Sequence, residues 1–85
     1  MGELAKLPNI GKVVEGQLWQ AGIATEHELK LAGAKQAWLK IQEIDETACM
    51  HRLLALEGAI RGVKKTELPD EVKADLKAFY QRHKK

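Results

Sequence analysis

The chemistry open to this 85-residue chain rests on a few side chains: one cysteine, three histidines, two tryptophans and a proline-led turn of small residues. Cys49 and His51 lie two apart in a segment of helical spacing, so they point in different directions and do not pair as nucleophile and base. Cys49 is expected to be a small core residue. His27, His51 and His83 show no metal-ligand spacing, and no second cysteine exists to complete a zinc site. Gly11 and Gly16 are not flanked by strand patterns, so neither a P-loop nor a dinucleotide fingerprint is read, and no nucleophile elbow occurs. Aspartates and glutamates fall mainly at helix starts and on polar faces, where capping accounts for them. No catalytic residue, metal ligand or cofactor is expected.

The most specific pattern is Leu7-Pro8-Asn9-Ile10-Gly11-Lys12, followed by Leu18 and then Gly22-Ile23-Ala24-Thr25. Small or left-handed-tolerant residues let such a turn approach a phosphate, and successive backbone N–H groups at a helix start form an anion cradle. Lys12 adds a positive charge beside it. The segment resembles a helix-hairpin-helix motif, whose usual form is leucine-proline-glycine-hydrophobic-glycine. Asn9 stands where that motif has its first glycine; asparagine tolerates positive φ, but its side chain can obstruct a close phosphate contact. The candidate nucleic-acid-binding residues are therefore Asn9, Ile10, Gly11 and Lys12, assisted by Lys64 and Lys65. The same turn read as purely structural is the competing interpretation.

The elements that must position this turn are helical. Helical periodicity recurs throughout, and the alternation of a strand never persists. A first short helix is predicted over about Gly2–Lys6, ending before Pro8. A second runs from Lys12 to about Gln20, with Gly22 as a left-handed stop and Ile23 packing back. Thr25 and Glu28 form a capping box that opens a short helix ending near Gly33. The next, about Ala34–Ile44, turns Ala34, Ala37, Trp38, Ile41 and Ile44 inward. Asp45 is expected to cap the following helix, whose apolar stripe is Cys49, Met50, Leu53, Leu54, Leu56 and Ile60 and whose end is Gly62. Pro69 fits the first turn of a last helix carrying Val72, Leu76, Phe79 and Tyr80. The expected fold is all-α: a single domain over residues 1–85 with five or six short helices.

Hydrophobic residues make up 45% of the chain and charged ones 31%, with a net charge of +2. That length suits one small core and excludes a large multi-domain enzyme. One cysteine rules out an internal disulfide framework, so a reducing, cytoplasmic setting is expected. No apolar run approaches the roughly 20 residues of a membrane helix, and the start reads as neither signal nor transit peptide. The charge is uneven. Residues 1–33 carry a net −1 and residues 63–85 a net +3, so the basic surplus lies in the last quarter rather than around the turn. A dedicated nucleic-acid binder usually shows a more concentrated footprint.

Residues along nearly the whole chain carry a wider likeness. They are Leu7-Pro8-Asn9-Ile10-Gly11, Leu18 to Ile23, Thr25 with Leu29, and Gly33-Ala34 with Ala37-Trp38. Further on come Leu53 through Gly62, and Leu68-Pro69 with Val72, Lys73 and Leu76. On these the chain resembles the C-terminal domain of the TfoX/Sxy family of bacterial competence regulators. The resemblance implies an all-α domain related to helix-hairpin-helix and sterile-alpha-motif-like folds, and a regulatory role. Gly58, inside a good helix, costs about 1 kcal/mol relative to alanine, so another backbone is expected to approach it closely. Trp38 is expected in the core, and Trp19 at the edge of an apolar face.

Two functions compete. One is a DNA-associated regulatory module whose binding is weak, sequence-independent and salt-sensitive. The other is a protein-interaction or self-association domain, including a homodimer, that uses a surface at Trp19, Gly58 and Gly62.

Overall fold

The computed structural model describes residues 3–84. Four α-helices and two 3₁₀ turns make up the described residues, and no strand occurs among them. The helices are α1 (Lys12–Gln20), α2 (Glu26–Ile44), α3 (Met50–Arg61) and α4 (Asp70–His83). The 3₁₀ turns are Leu4–Lys6, before α1, and Lys65–Glu67, between α3 and α4. The count is below the five or six expected, for two local reasons. The first element is only a 3₁₀ turn, and its expected start at Gly2 lies outside the described residues. The second is that α2 counts as one element although the expected break at Gly33 is formed: Gly33 has φ 81° and ψ 159°, a non-helical region essentially confined to glycine, and two helical segments meet there at a kink.

Local chemistry fixes most boundaries. The Thr25 hydroxyl accepts from the Glu28 N–H, while the Glu28 carboxylate accepts from the Ala24 and Thr25 N–H groups, so the expected capping box is formed. At the end of α1, Gly22 takes φ 87°, and the Ile23 N–H reaches back to the Leu18 carbonyl at 2.8 Å. Ile23 and Leu18 are both buried there, the hydrophobic contact that accompanies this stop. The same backward bond, from the Val63 N–H to the Gly58 carbonyl, closes α3.

Asp45 does not cap α3. It follows α2, and its Oδ1 accepts from the Thr47 N–H and hydroxyl, so a local turn takes up its capping capacity. The N-cap of α3 is Cys49, four residues later and half-buried instead of part of the core stripe. Pro69 directly precedes α4.

Trp38, Leu29, Ile41, Leu53, Leu56 and Leu76 are fully or almost fully buried where α2, α3 and α4 meet. Trp38 donates its Nε1–H to the Cys49 carbonyl at 3.1 Å, and Phe79 and Tyr80 meet its ring edge-on at 6.1 and 5.7 Å. Full burial of a tryptophan with its one donor satisfied makes it the centrepiece of the core. Ile44, expected inward, is 44% exposed at the end of α2.

Candidate nucleic-acid interface

The turn before α1 is built from the inside out. The Leu7 N–H bonds to the Leu4 carbonyl, and the Ile10 N–H to the Leu7 carbonyl at 3.3 Å. Ile10 is only 5% exposed and belongs to the core, so its side chain anchors the turn and is unavailable to a nucleic acid. Gly11 is the N-cap of α1, and Gly11, Lys12 and Val13 are exposed. The first N–H groups of an α-helix have no carbonyl to reach within it, so they face outward as donors.

Gly11 itself has φ −103°, open to any residue. A Cβ built on it would meet no atom within 4 Å. Neither backbone conformation nor packing within the chain calls for glycine at this position, and its bare backbone faces open space.

Asn9 does something the sequence did not show. Its φ is 70°, the left-handed conformation that the turn requires. Its side chain turns inward: Nδ2 donates to the Val63 carbonyl at 3.0 Å and the Ala55 carbonyl at 3.4 Å, and Oδ1 accepts from the Lys65 N–H at 3.0 Å. The amide thus bonds across the chain to the end of α3 and the segment after it. Gly58 is what makes room, since a Cβ there would lie 2.5 Å from Asn9 Nδ2 and 2.7 Å from the Val63 carbonyl oxygen. The backbone approach expected at Gly58 comes from Val63 and Lys65, and the Asn9 side chain comes closer still. Gly58 is buried beneath it, and the chain itself covers this candidate partner residue.

Because Asn9 joins these segments, the turn and Lys64–Lys65 share one edge of the molecule. Pro8, Asn9 and residues 62–67 line a single open groove there. The Glu67 carboxylate accepts from the Lys64 N–H at 3.0 Å, which turns it toward backbone. Four ion pairs are formed among the described residues: Lys30–Glu26, Lys35–Asp75, Arg52–Asp45 and Arg61–Glu57. Lys12, Lys64 and Lys65 take part in none of them.

Glu15, whose charge made the turn's region acidic in the sequence, is 3% exposed, and its Oε2 accepts from the Ala5 N–H at 3.1 Å. It joins the first 3₁₀ turn to α1. Its spacing of three from Leu18 was the available sign that it shares the inward face. The lining positions Pro8, Val63 and Glu67 carried no such sign, because they become neighbours only through Asn9.

The remaining candidates are dispersed. Trp19 is 43% exposed on α1, and Gly62 is exposed at the end of α3. His27 and His51 are exposed, and His83 stacks on Phe79 with ring centroids 4.3 Å apart. No group of three or more His, Cys, Asp or Glu among the described residues is placed to hold a metal ion. No helix among them is long and apolar enough to cross a membrane.

Comparison with known proteins places these features in a family. The family described as the TfoX C-terminal domain matches residues 1–80. Protein Sxy of Escherichia coli (strain K12) is 35% identical over 66 residues, which cover 78% of this chain and 32% of that protein. The chain thus spans about a third of the length of that curated relative. An uncharacterized Listeria monocytogenes protein in a triclinic crystal form superposes with a TM-score of 0.92 at 49% identity, covering 93% of this chain and 90% of that one. A Listeria monocytogenes protein of unknown function in a tetragonal form gives 0.89 at 49% identity, covering 92% and 96%.

Proposed function

We propose that this chain, which belongs to the TfoX C-terminal domain family, is a non-enzymatic regulatory module that binds nucleic-acid phosphates weakly and without sequence preference. The observation that carries this reading is Gly11. It is a glycine with ordinary φ and empty space before it, at the exposed start of a helix and beside Lys12. A phosphate oxygen approaching the first N–H groups of α1 would use the space that a side chain would fill. Lys64 and Lys65 line a groove with Pro8 and Asn9, the residues that lead into Ile10 and Gly11, and stand outside the four ion pairs described. The inward placement of the Glu15 carboxylate removes the nearest acidic obstacle on α1. A net charge of +2 suits weak attraction to a polyanion, with affinity falling as salt rises.

The test is titration of a labelled DNA duplex at low salt with the parent chain and with Lys12→Glu. The reading expects parent binding that weakens steeply with salt, and a clear loss in the variant. Equal affinities would remove the turn from the interface.

A second reading, self-association, draws on α1. Val13 is 70% and Trp19 43% exposed, and helical geometry sets them on either side of Gly16, which also has open space before it. Light scattering tests it: a strict monomer at high protein concentration would count against this face as a dimer contact.

A further inference from the structure

We infer that a second copy of this chain pairs with the first through α1, about a twofold axis at Gly16 that sets Val13 of each copy on Trp19 of the other. This rests on the self-association reading above and gives it a face and a register.

Gly16 is the middle residue of α1, where a glycine costs the helix about 1 kcal/mol relative to alanine. At Gly58 packing within the chain accounts for such a cost. At Gly16 a Cβ would meet nothing within 4 Å, so no part of the chain uses the bare backbone there. Its neighbours on the outward side of α1 are Lys12, Val13, Trp19 and Gln20, all exposed. Glu15 is buried, which leaves Lys12 as the one charge on that side of the helix.

The placement of the two apolar residues points to a second copy as the occupant. Val13 stands three residues before Gly16 and Trp19 three after it, and helical geometry turns them about 60° to opposite sides of it. A half-turn about an axis through Gly16, perpendicular to the helix, exchanges both the ends and the sides. It therefore carries Val13 of each copy onto Trp19 of the other, the reciprocal contact of an isologous interface. The same rotation brings Gly16 against Gly16, where missing side chains let the backbones approach. It also runs the helices antiparallel, so each Lys12 lies by Gln20 at the carbonyl end of the other α1, the favourable pole for a cation. The two Lys12 side chains stand at opposite ends and do not repel. A single nine-residue helix from each copy offers less than a standard-size interface, so the pair is expected to be weak and reversible.

The experiment is sedimentation equilibrium from about 10 µM to 1 mM protein. It compares the parent with Val13→Glu, with Trp19→Lys and with the two substitutions combined. Both positions are exposed, and an acid in the first turn and a base in the last suit the helix dipole, so the variants keep the fold, which circular dichroism checks.

The parent mass is expected to rise from 9.5 kDa toward twice that value. Each single substitution, which sets a lone charge on an apolar side chain, should weaken association at least about tenfold. The combined variant sets acid against base at both contacts and should return to within about threefold of the parent. Single variants that associate like the parent, or a combined variant no tighter than the singles, would overturn this pairing and leave self-association standing. A parent that stays at 9.5 kDa to the top of the range would overturn both.

Discussion

A methyl group on Gly58 would lie 2.5 Å from Asn9 Nδ2, so the Asn9 amide and the bare backbone of Gly58 fit only as a pair. The pair joins the turn before α1 to the end of α3, and through it the molecule brings its first and last thirds together. What the helix loses in propensity at Gly58 is offset by the bonds that Asn9 makes above it.

Gly58→Ala is therefore expected to destabilise the domain, although alanine favours a helix by about 1 kcal/mol. The added carbon meets the Val63 carbonyl oxygen at 2.7 Å, a backbone atom held by the end of α3, as well as the tethered Asn9 amide. Overpacking of this kind costs about 1–3 kcal/mol, so thermal melting should drop by several degrees. An unchanged or raised melting temperature would contradict the fit.

The sequence revealed what is local and concealed what is not. Thr25 with Glu28, the stop at Gly22 and the break at Gly33 depend on residues within a few positions, and all three are formed. The demand for close approach at Gly58 was legible from the cost of a helical glycine, but its partner was not, because Asn9 is remote in sequence. Asp45 failed as a cap for a different reason. Its carboxylate makes a cap-like bond to the Thr47 N–H, but the chain does not continue as a helix from that turn and α3 begins only after Cys49. Among the candidate contact residues, Gly11, Lys12 and Lys64 are exposed, whereas Ile10 and Gly58 are buried by tertiary packing that no local rule reports.

Gly11→Ser is expected to move stability and binding in opposite directions. Serine is a better N-cap than glycine by a few tenths of a kcal/mol, and the open space before Gly11 accepts it. Its hydroxyl would bond the helix-start N–H groups that the phosphate otherwise uses. Melting should hold or rise slightly while duplex affinity falls; a serine variant that binds as tightly as the parent would count against the cradle.

The two tryptophans should be separable by fluorescence. Trp38 is fully buried and Trp19 is 43% exposed. Trp38→Phe should leave red-shifted emission readily quenched by iodide, and Trp19→Phe should leave blue-shifted, protected emission. Trp38→Phe also removes the indole bond to the Cys49 carbonyl, which keeps the Arg52 and Leu53 N–H groups, so that lost bond costs about 0.5–1.5 kcal/mol by denaturant unfolding. Equal iodide quenching of the two variants would place Trp38 wrongly.

Asp45 provides a pH signature. Hydrogen bonds from the Thr47 hydroxyl and N–H, then from Arg52 and Gln17, hold its carboxyl down from the ordinary 3.8 to about 2. A carboxyl lowered on folding stabilises the folded state fully above its unfolded value, and that contribution is lost as pH falls from about 4 through 2. The parent should thus lose stability over that window by more than Asp45→Asn does. Parallel stability–pH curves for the two proteins would show that the carboxylate is not held this way.

The most direct test of the account compares two triple variants that each remove three positive charges. Lys12→Gln/Lys64→Gln/Lys65→Gln neutralises the proposed surface; Lys40→Gln/Lys77→Gln/Arg82→Gln neutralises exposed positions on α2 and α4. Duplex affinity would be followed across salt for both and for the parent. The account expects the first triple to lose most of the binding and about 3 units of log–log salt slope, and the second to stay within roughly threefold of the parent. Equal losses from both triples, or a parent that binds no duplex at low salt, would contradict it.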